Sequence, residues 1–203
     1  MARPGRIGVI ACGALAAHVR DIADRRSWPV DVHPLPPLLH NRPDRIATAV
    51  ESLVAELRPR YARLAVAYAD CGTYGALDEV CDRHGLTRLR GAHCYDVFAG
   101  PDEVARLLAD EPGTYLLTDY LVRTFHRSVM TELGLDRHPE LRDTYFAHYH
   151  RVIWLAQHPT PELRAQATRA AELLNLPLTV RPVGDGRLEL ELTPLCESPG
   201  HGT

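Results

Sequence analysis

The chain has 203 residues, a formal net charge of −3 and 45% hydrophobic residues, which suits one globular domain, with or without an appended subdomain, and excludes disorder, collagen and coiled coil. All 23 basic residues are arginine, so a Schiff-base lysine, a P-loop lysine and cofactors held through a lysine amine are excluded. The near-neutral balance argues against nucleic acid or a membrane surface as partner, and no stretch approaches the roughly 18 apolar residues of a membrane helix.

Arg3 and Arg6 ahead of Ile7–Ala11 and Cys12 imitate a secretion signal, but the apolar run is only five residues long, short of the roughly 7–15 such a signal needs, and the chain reads as cytoplasmic. Residues 6–11 predict a short buried strand ended by Cys12-Gly13, and Leu15, Val19, Ile22 and Ala23 mark one face of the next helix. Val30–Leu35 predicts a second strand running into a proline-rich turn. Asp44 can cap a helix that carries Ile46, Val50, Leu53, Val54 and Leu57. Leu64–Tyr68 predicts a third strand, followed by Asp70-Cys71-Gly72-Thr73 and another helix, and Thr87–Arg90 a fourth, leading into Gly91-Ala92-His93-Cys94.

Further on, the pattern predicts a helix from Pro101 to Asp110, a strand at Thr114–Thr118 and helices over 119–133 and 139–149. A strand at Val152–Ala156 and a helix over 161–175 follow. Leu178 and Val180, then Leu188, Leu190 and Leu192 across a Gly-Asp-Gly turn, predict a C-terminal edge hairpin. Alternating strands and helices imply an α/β fold: a mainly parallel sheet with helices on both faces, doubly wound and Rossmann-like. The whole reads as one domain over 1–195, divisible into two similar α/β halves at about 1–110 and 111–195, with a disordered tail at 196–203.

In open parallel sheets, ligands bind beyond the carboxyl ends of the strands. That rule singles out Cys12, Cys71 and Cys94, each just after a predicted strand. Helix N-termini favour thiolate, so Cys12 and Cys71 are expected to be deprotonated. His40, from the loop after the second strand, reaches the same edge as fourth ligand or supporting group, and His93 adjoins Cys94. Three thiolates and a histidine suit a soft metal, either zinc or an iron–sulfur cluster. The spacings match no compact zinc motif, so placement carries the argument, against the alternative of small buried cysteines that simply pack. Cys81 reads as packing and Cys196 as tail. Asp119, after the Thr114–Thr118 strand, reads as a helix cap or as a catalytic base, with His93 its companion in proton handling. Tyr145 and His148 could form a metal face or a surface pair. The nicotinamide fingerprint and the G-x-S-x-G motif are both absent.

The segments Ile10–Leu15, Leu39-His40-Asn41-Arg42-Pro43, Tyr68–Thr73 and Gly91–Tyr95, extended by Gly113–Asp119 and Leu133–Asp136, resemble the family catalogued as domain of unknown function 1638. The motif positions that carry over are Cys12, His40, Cys71, His93 and Cys94, while Ala69 stands where a glycine is expected. The resemblance implies an association with corrinoid-dependent and pterin-binding methyltransferases, and hence with one-carbon metabolism. The leading expectation is therefore a cytoplasmic metalloenzyme acting on a small molecule in methyl-group chemistry. Two others stay open: a metal carrier or accessory subunit partnered with a corrinoid protein or methyltransferase, and a metal-free cysteine-nucleophile enzyme.

Overall fold

The run Ile7–Ala11 (β1) is apolar apart from one glycine and buried at every position, as expected of a strand covered on both faces. In the computed structural model, which describes residue 3 and residues 5–197 (His40 by its backbone alone), β1 is the centre of a three-stranded parallel sheet. Its neighbours are Val30–Pro34 (β2) and Arg63–Ala67 (β3), in the order β2-β1-β3. The register sets Ala11 opposite both Pro34 and Ala67. The crossovers are Ala16–Arg25 (α1) and, after two short 3₁₀ turns, Ile46–Leu57 (α2). Ala76–His84 (α3) packs on α2, and Cys94–Ala99 (α4) follows.

After Pro101–Asp110 (α5), a second three-stranded parallel sheet is built in chain order from Thr114–Thr118 (β4), Arg151–Ala156 (β5) and Leu178–Pro182 (β6). Asp119–Phe125 (α6) continues into a π-helical stretch, His126–Thr131, and Arg142–Tyr145 (α7) is a single turn. Pro161–Leu174 (α8) returns to β6 and buries Leu163, Ala167, Ala170, Ala171 and Leu174 on one stripe, around Trp154 and Phe125. The chain is thus α/β, as expected, with two parallel sheets. It divides into two compact units between Val97 and Phe98, and the segment from Gly186 onward belongs with the first. Among the described residues no helix is long and apolar enough to cross a membrane.

Several local expectations are corrected. The C-terminal hairpin does not form: β6 pairs in parallel with β5, and residues Gly186–Cys196 make a helix (α9). Leu188, Leu192 and Leu195 are buried at i, i+4 and i+7 while Leu190 is 73% exposed, so a helical stripe lay under the apparent alternation. Cys196, read as tail, is buried in α9, which packs on α1 and β3; residues 198–203 lie outside the described residues. Thr87–Arg90 contributes one bridge, Val66 to Arg88, in place of a strand. Asp44 sits in a 3₁₀ turn, and α2 starts with no side-chain cap. The helix expected over 139–149 shrinks to a 3₁₀ turn and α7.

One carboxylate ties the edge strand of the first unit to its neighbours. Asp31 accepts hydrogen bonds from Arg6 at 2.7 Å and from Arg3 and the buried Tyr61 hydroxyl at 2.9 Å. The Arg6 guanidinium, with Tyr61 and Arg3, holds its carboxyl far below the usual carboxylate range. Asp31→Asn is expected to cost about 1–3 kcal/mol at pH 7. Because the folded-state value is depressed, that stabilisation is complete above the unfolded value near 4 and fades as pH falls below it. Urea unfolding of both proteins at pH 7 and pH 3 checks this: the gap should narrow in acid, and a gap that stays constant would contradict it.

Candidate functional site

The parallel ladder of the first unit runs past its strands, and that extension places the cysteines. The Cys12 amide donates to the Ala67 carbonyl at 3.0 Å, one residue beyond β1. Past β3, the Asp70 amide donates to Gly91 O at 3.1 Å and the Cys71 amide to Ala92 O at 2.7 Å. The segment that ends in Cys94 is thereby zipped to the loop that bears Cys71.

Two aspartates shape these loops. The Asp70 carboxylate accepts from the Thr73 hydroxyl at 2.6 Å and from the amides of Gly72, Tyr74 and Gly75 at 3.2 Å. Burial opposes its charge, but the hydroxyl and the three amides together hold it below its ordinary value. The Asp96 carboxylate likewise accepts from the amides of Ala92 and His93, at 2.7 and 3.1 Å. Within the Asp70 turn, Cys71 adopts a left-handed φ of 51°, a strained conformation for a residue with a Cβ and of the kind that clusters at functional sites.

All three thiols are raised above their ordinary value, chiefly by burial. Burial pushes Cys71 up to about 12, and the charge on Cys12 adds to the shift. Cys94 is raised well above its ordinary value by burial, then by Cys71 and Cys12. Cys12 is raised by burial, although the amides of Ala14 and Leu15 facing its sulfur pull it partly back. The Cys94 amide faces the Cys71 sulfur in the same way. The expectation that helix N-termini ionise Cys12 and Cys71 is therefore corrected: α1 and α3 begin only at Ala16 and Ala76, and burial dominates.

The loop after β2 closes on the same place. A Cβ on Gly13 would stand 2.6 Å from Leu35 O and 2.8 Å from Pro37 N, so only glycine admits the loop beside Cys12. Pro43 lies 3.4 Å from where a Cβ on Gly72 would be, beside Cys71. His40 is on the intervening turn, Pro37–Asn41, and its side chain lies outside the described residues. His93 is exposed next to Cys94, and its ring stacks on Tyr95 at 6.3 Å. Tyr68, which the sequence reading did not single out, is fully buried, with its hydroxyl against the Cys12 sulfur. Its position three residues ahead of Cys71 was the one available hint.

Asp119 stands in the second unit and is fully buried. Its Oδ1 accepts from the Trp154 indole at 2.9 Å and the Gln157 amide at 3.0 Å, and its Oδ2 from the His158 amide at 2.8 Å. Those bonds stitch the ends of β4 and β5 together. Tyr145 and His148 are both exposed. A surface cavity of about 280 Å³ in the first unit lies along β2, lined by Arg20, Asp31, His33 and Arg60 among others. The cysteines do not line it, and its Asp31 is already satisfied by Arg3, Arg6 and Tyr61. Backbone strain and aligned amides coincide instead at the cysteine loops. Asp119→Ala leaves three buried donors unmet and is expected to cost about 3 kcal/mol or more in a denaturant titration. Stability close to that of the unaltered protein would contradict the structural role.

A family model described as "Protein of unknown function (DUF1638)" matches residues 34–191, a span that takes in His40, Cys71, His93, Cys94 and Asp119 and begins after Cys12. No curated protein and no solved structure matches the chain.

Proposed function

The chain belongs to the family described as "Protein of unknown function (DUF1638)", a description that carries no activity, and from its site we propose a metalloprotein that holds zinc or an iron–sulfur cluster on Cys12, Cys71 and Cys94. The observation that supports it is the extended ladder, which carries Cys12 against Ala67 beyond β1 and zips the Cys71 loop to the segment that ends in Cys94, so that the three cysteine-bearing loops meet at one sheet edge. Amide-to-sulfur contacts favour the ionised sulfur, whereas three unaccompanied thiolates in a buried place repel one another. A cation at the centre reconciles the two, binding with release of protons. The same raised thiols disfavour a metal-free nucleophile, which needs a lowered value.

His40 is the fourth ligand or a supporting group of this centre, since its turn starts at Pro37, against Gly13 beside Cys12, and the next turn starts at Pro43, against Gly72 beside Cys71. As an enzyme, the protein would act on a small molecule in corrinoid-linked methyl-group metabolism, the metal lending nucleophilicity to a bound acceptor. His93, exposed beside Cys94, is the side chain placed for proton handling, and the catalytic role read for Asp119 is set aside in favour of its structural one. Five free thiols fit the reducing cytoplasm. A second reading, as a metal carrier or accessory subunit for a corrinoid protein or methyltransferase, is favoured by Tyr74, an aromatic 97% exposed within the turn that bears Cys71.

Serine substitution separates ligands from packing cysteines. Cys12→Ser, Cys71→Ser and Cys94→Ser should each at least halve the bound metal per chain, while Cys81→Ser and Cys196→Ser should retain it. Full retention in Cys71→Ser would overturn the assignment.

A further inference from the structure

We propose that the cavity along β2 is a binding site for a small hydroxycarboxylate, held at its carboxylate by Arg20, Arg60 and the Val32 amide and at its hydroxyl by His33. The cysteine loops do not line this cavity, and the proposal does not rest on the metal reading. At about 280 Å³ it is at the small end of ligand sites, and every residue that lines it belongs to the first unit. Arg20, Ala23 and Asp24, at i, i+3 and i+4 on α1, share one helix face and form one wall. Residues 30–33 of β2 form a second, and Arg60 and Tyr61, just ahead of β3, a third.

The carboxylate end follows from the outer edge of β2. The Ile7 amide donates to Pro29 O and the Leu35 amide to Ala11 O, so the odd-numbered residues from Pro29 to Leu35 turn their backbone groups to β1 and the even-numbered ones turn away. At Val30 the outward groups are taken: the amide donates to Trp28 O at 2.8 Å, and the carbonyl accepts from Arg6 at 2.6 Å. The outward amide of Val32, which lines the cavity, has no such partner among the described residues. Arg20 and Arg60 line it too, and neither guanidinium meets a carboxylate or a carbonyl among the described residues. Arg60 lies over the Tyr61 ring, 5.7 Å from its centroid. An edge amide and two uncommitted guanidinium groups are donors suited to a carboxylate. Charge agrees, because the cavity sets Arg3, Arg20 and Arg60 against Asp24 and Asp31. The single positive charge left over matches a monoanion better than a phosphate, which carries nearly two charges at pH 7.

The hydroxyl end follows from a chain of three side chains. The ionised Asp31 can only accept, so it takes the Tyr61 hydroxyl hydrogen at 2.9 Å. The Tyr61 oxygen can then only accept from His33 Nε2–H, at 3.0 Å. That fixes the tautomer and leaves Nδ1 with its lone pair and no partner among the described residues. Burial, reinforced by Arg60, holds His33 below its ordinary value, so the ring is neutral at pH 7 and Nδ1 is an acceptor. A hydroxyl on the carbon beside a carboxylate supplies the hydrogen that such an acceptor takes, and a plain carboxylate does not.

The test is titration of the full chain, labelled with nitrogen-15, by lactate, acetate and inorganic phosphate in turn, followed by amide and arginine side-chain resonances. Lactate should shift the Val32 amide and the Arg20 and Arg60 side chains, and should bind about fivefold to tenfold more tightly than acetate. Arg20→Gln and Arg60→Gln should each weaken lactate about tenfold while the rest of the spectrum stays in place. His33→Phe should lower lactate to the affinity of acetate, with acetate binding unchanged as the sign that the cavity is intact. Equal affinity of the unaltered protein for lactate and acetate would overturn the proposal, as would tighter binding of phosphate. Shifts spread over the surface arginines and indifferent to Arg20→Gln, or no shift at Val32 with any of the three anions, would overturn it as well. Each of these outcomes leaves the metal reading untouched.

Discussion

The parallel register that sets Ala11 opposite Ala67 is the constraint on which the placement of the cysteine-bearing loops depends. Once β1 and β3 are in that register, the bond from the Cys12 amide to Ala67 O carries the ladder one residue further. Cys12 then leaves the sheet beside the residues that lead to Cys71. A one-residue slip would turn every side chain of β1 to the opposite face and separate the loops. Burial of all five β1 residues gives the register its driving force, since any slip would exchange buried apolar groups for others that do not fit.

Beyond the strands, the backbone is held by side chains. Asp70 and Asp96 act as surrogate secondary structure, each collecting amides that would otherwise go without partners. That bonding lets Cys71 persist at a positive φ. The cost of the arrangement lies in the thiols, all three raised by burial, with Cys12 adding to the shift of Cys71, and Cys71 and Cys12 to that of Cys94.

Much of this could be read in the residues. β1, β3, β4 and β5 are short, largely apolar runs, and the rule that function gathers beyond the carboxyl ends of parallel strands pointed to Cys12, Cys71 and Cys94. What was illegible depended on tertiary contacts. The leucines of 186–196 satisfy a strand period and a helical one equally, and only packing on α1 and β3 selects the helix. Asp119 read as a helix cap or a catalytic base because the donors that occupy it, Trp154, Gln157 and His158, lie more than thirty residues along the chain. Cys12 and Cys71 looked ionised because the lengths of the turns before α1 and α3 are not written in any local pattern. Tyr68 looked like one more strand residue, since nothing in the sequence reveals that its hydroxyl lies against the Cys12 sulfur.

Metal and acid-labile sulfide content of the protein, purified without oxygen or metal-affinity resin and paired with its absorption spectrum, tests the central claim most directly. The account predicts either about one zinc per chain in a colourless protein, or iron with matching sulfide and a brown visible band. Protein that carries no stoichiometric metal, and takes none up on reconstitution, would contradict it.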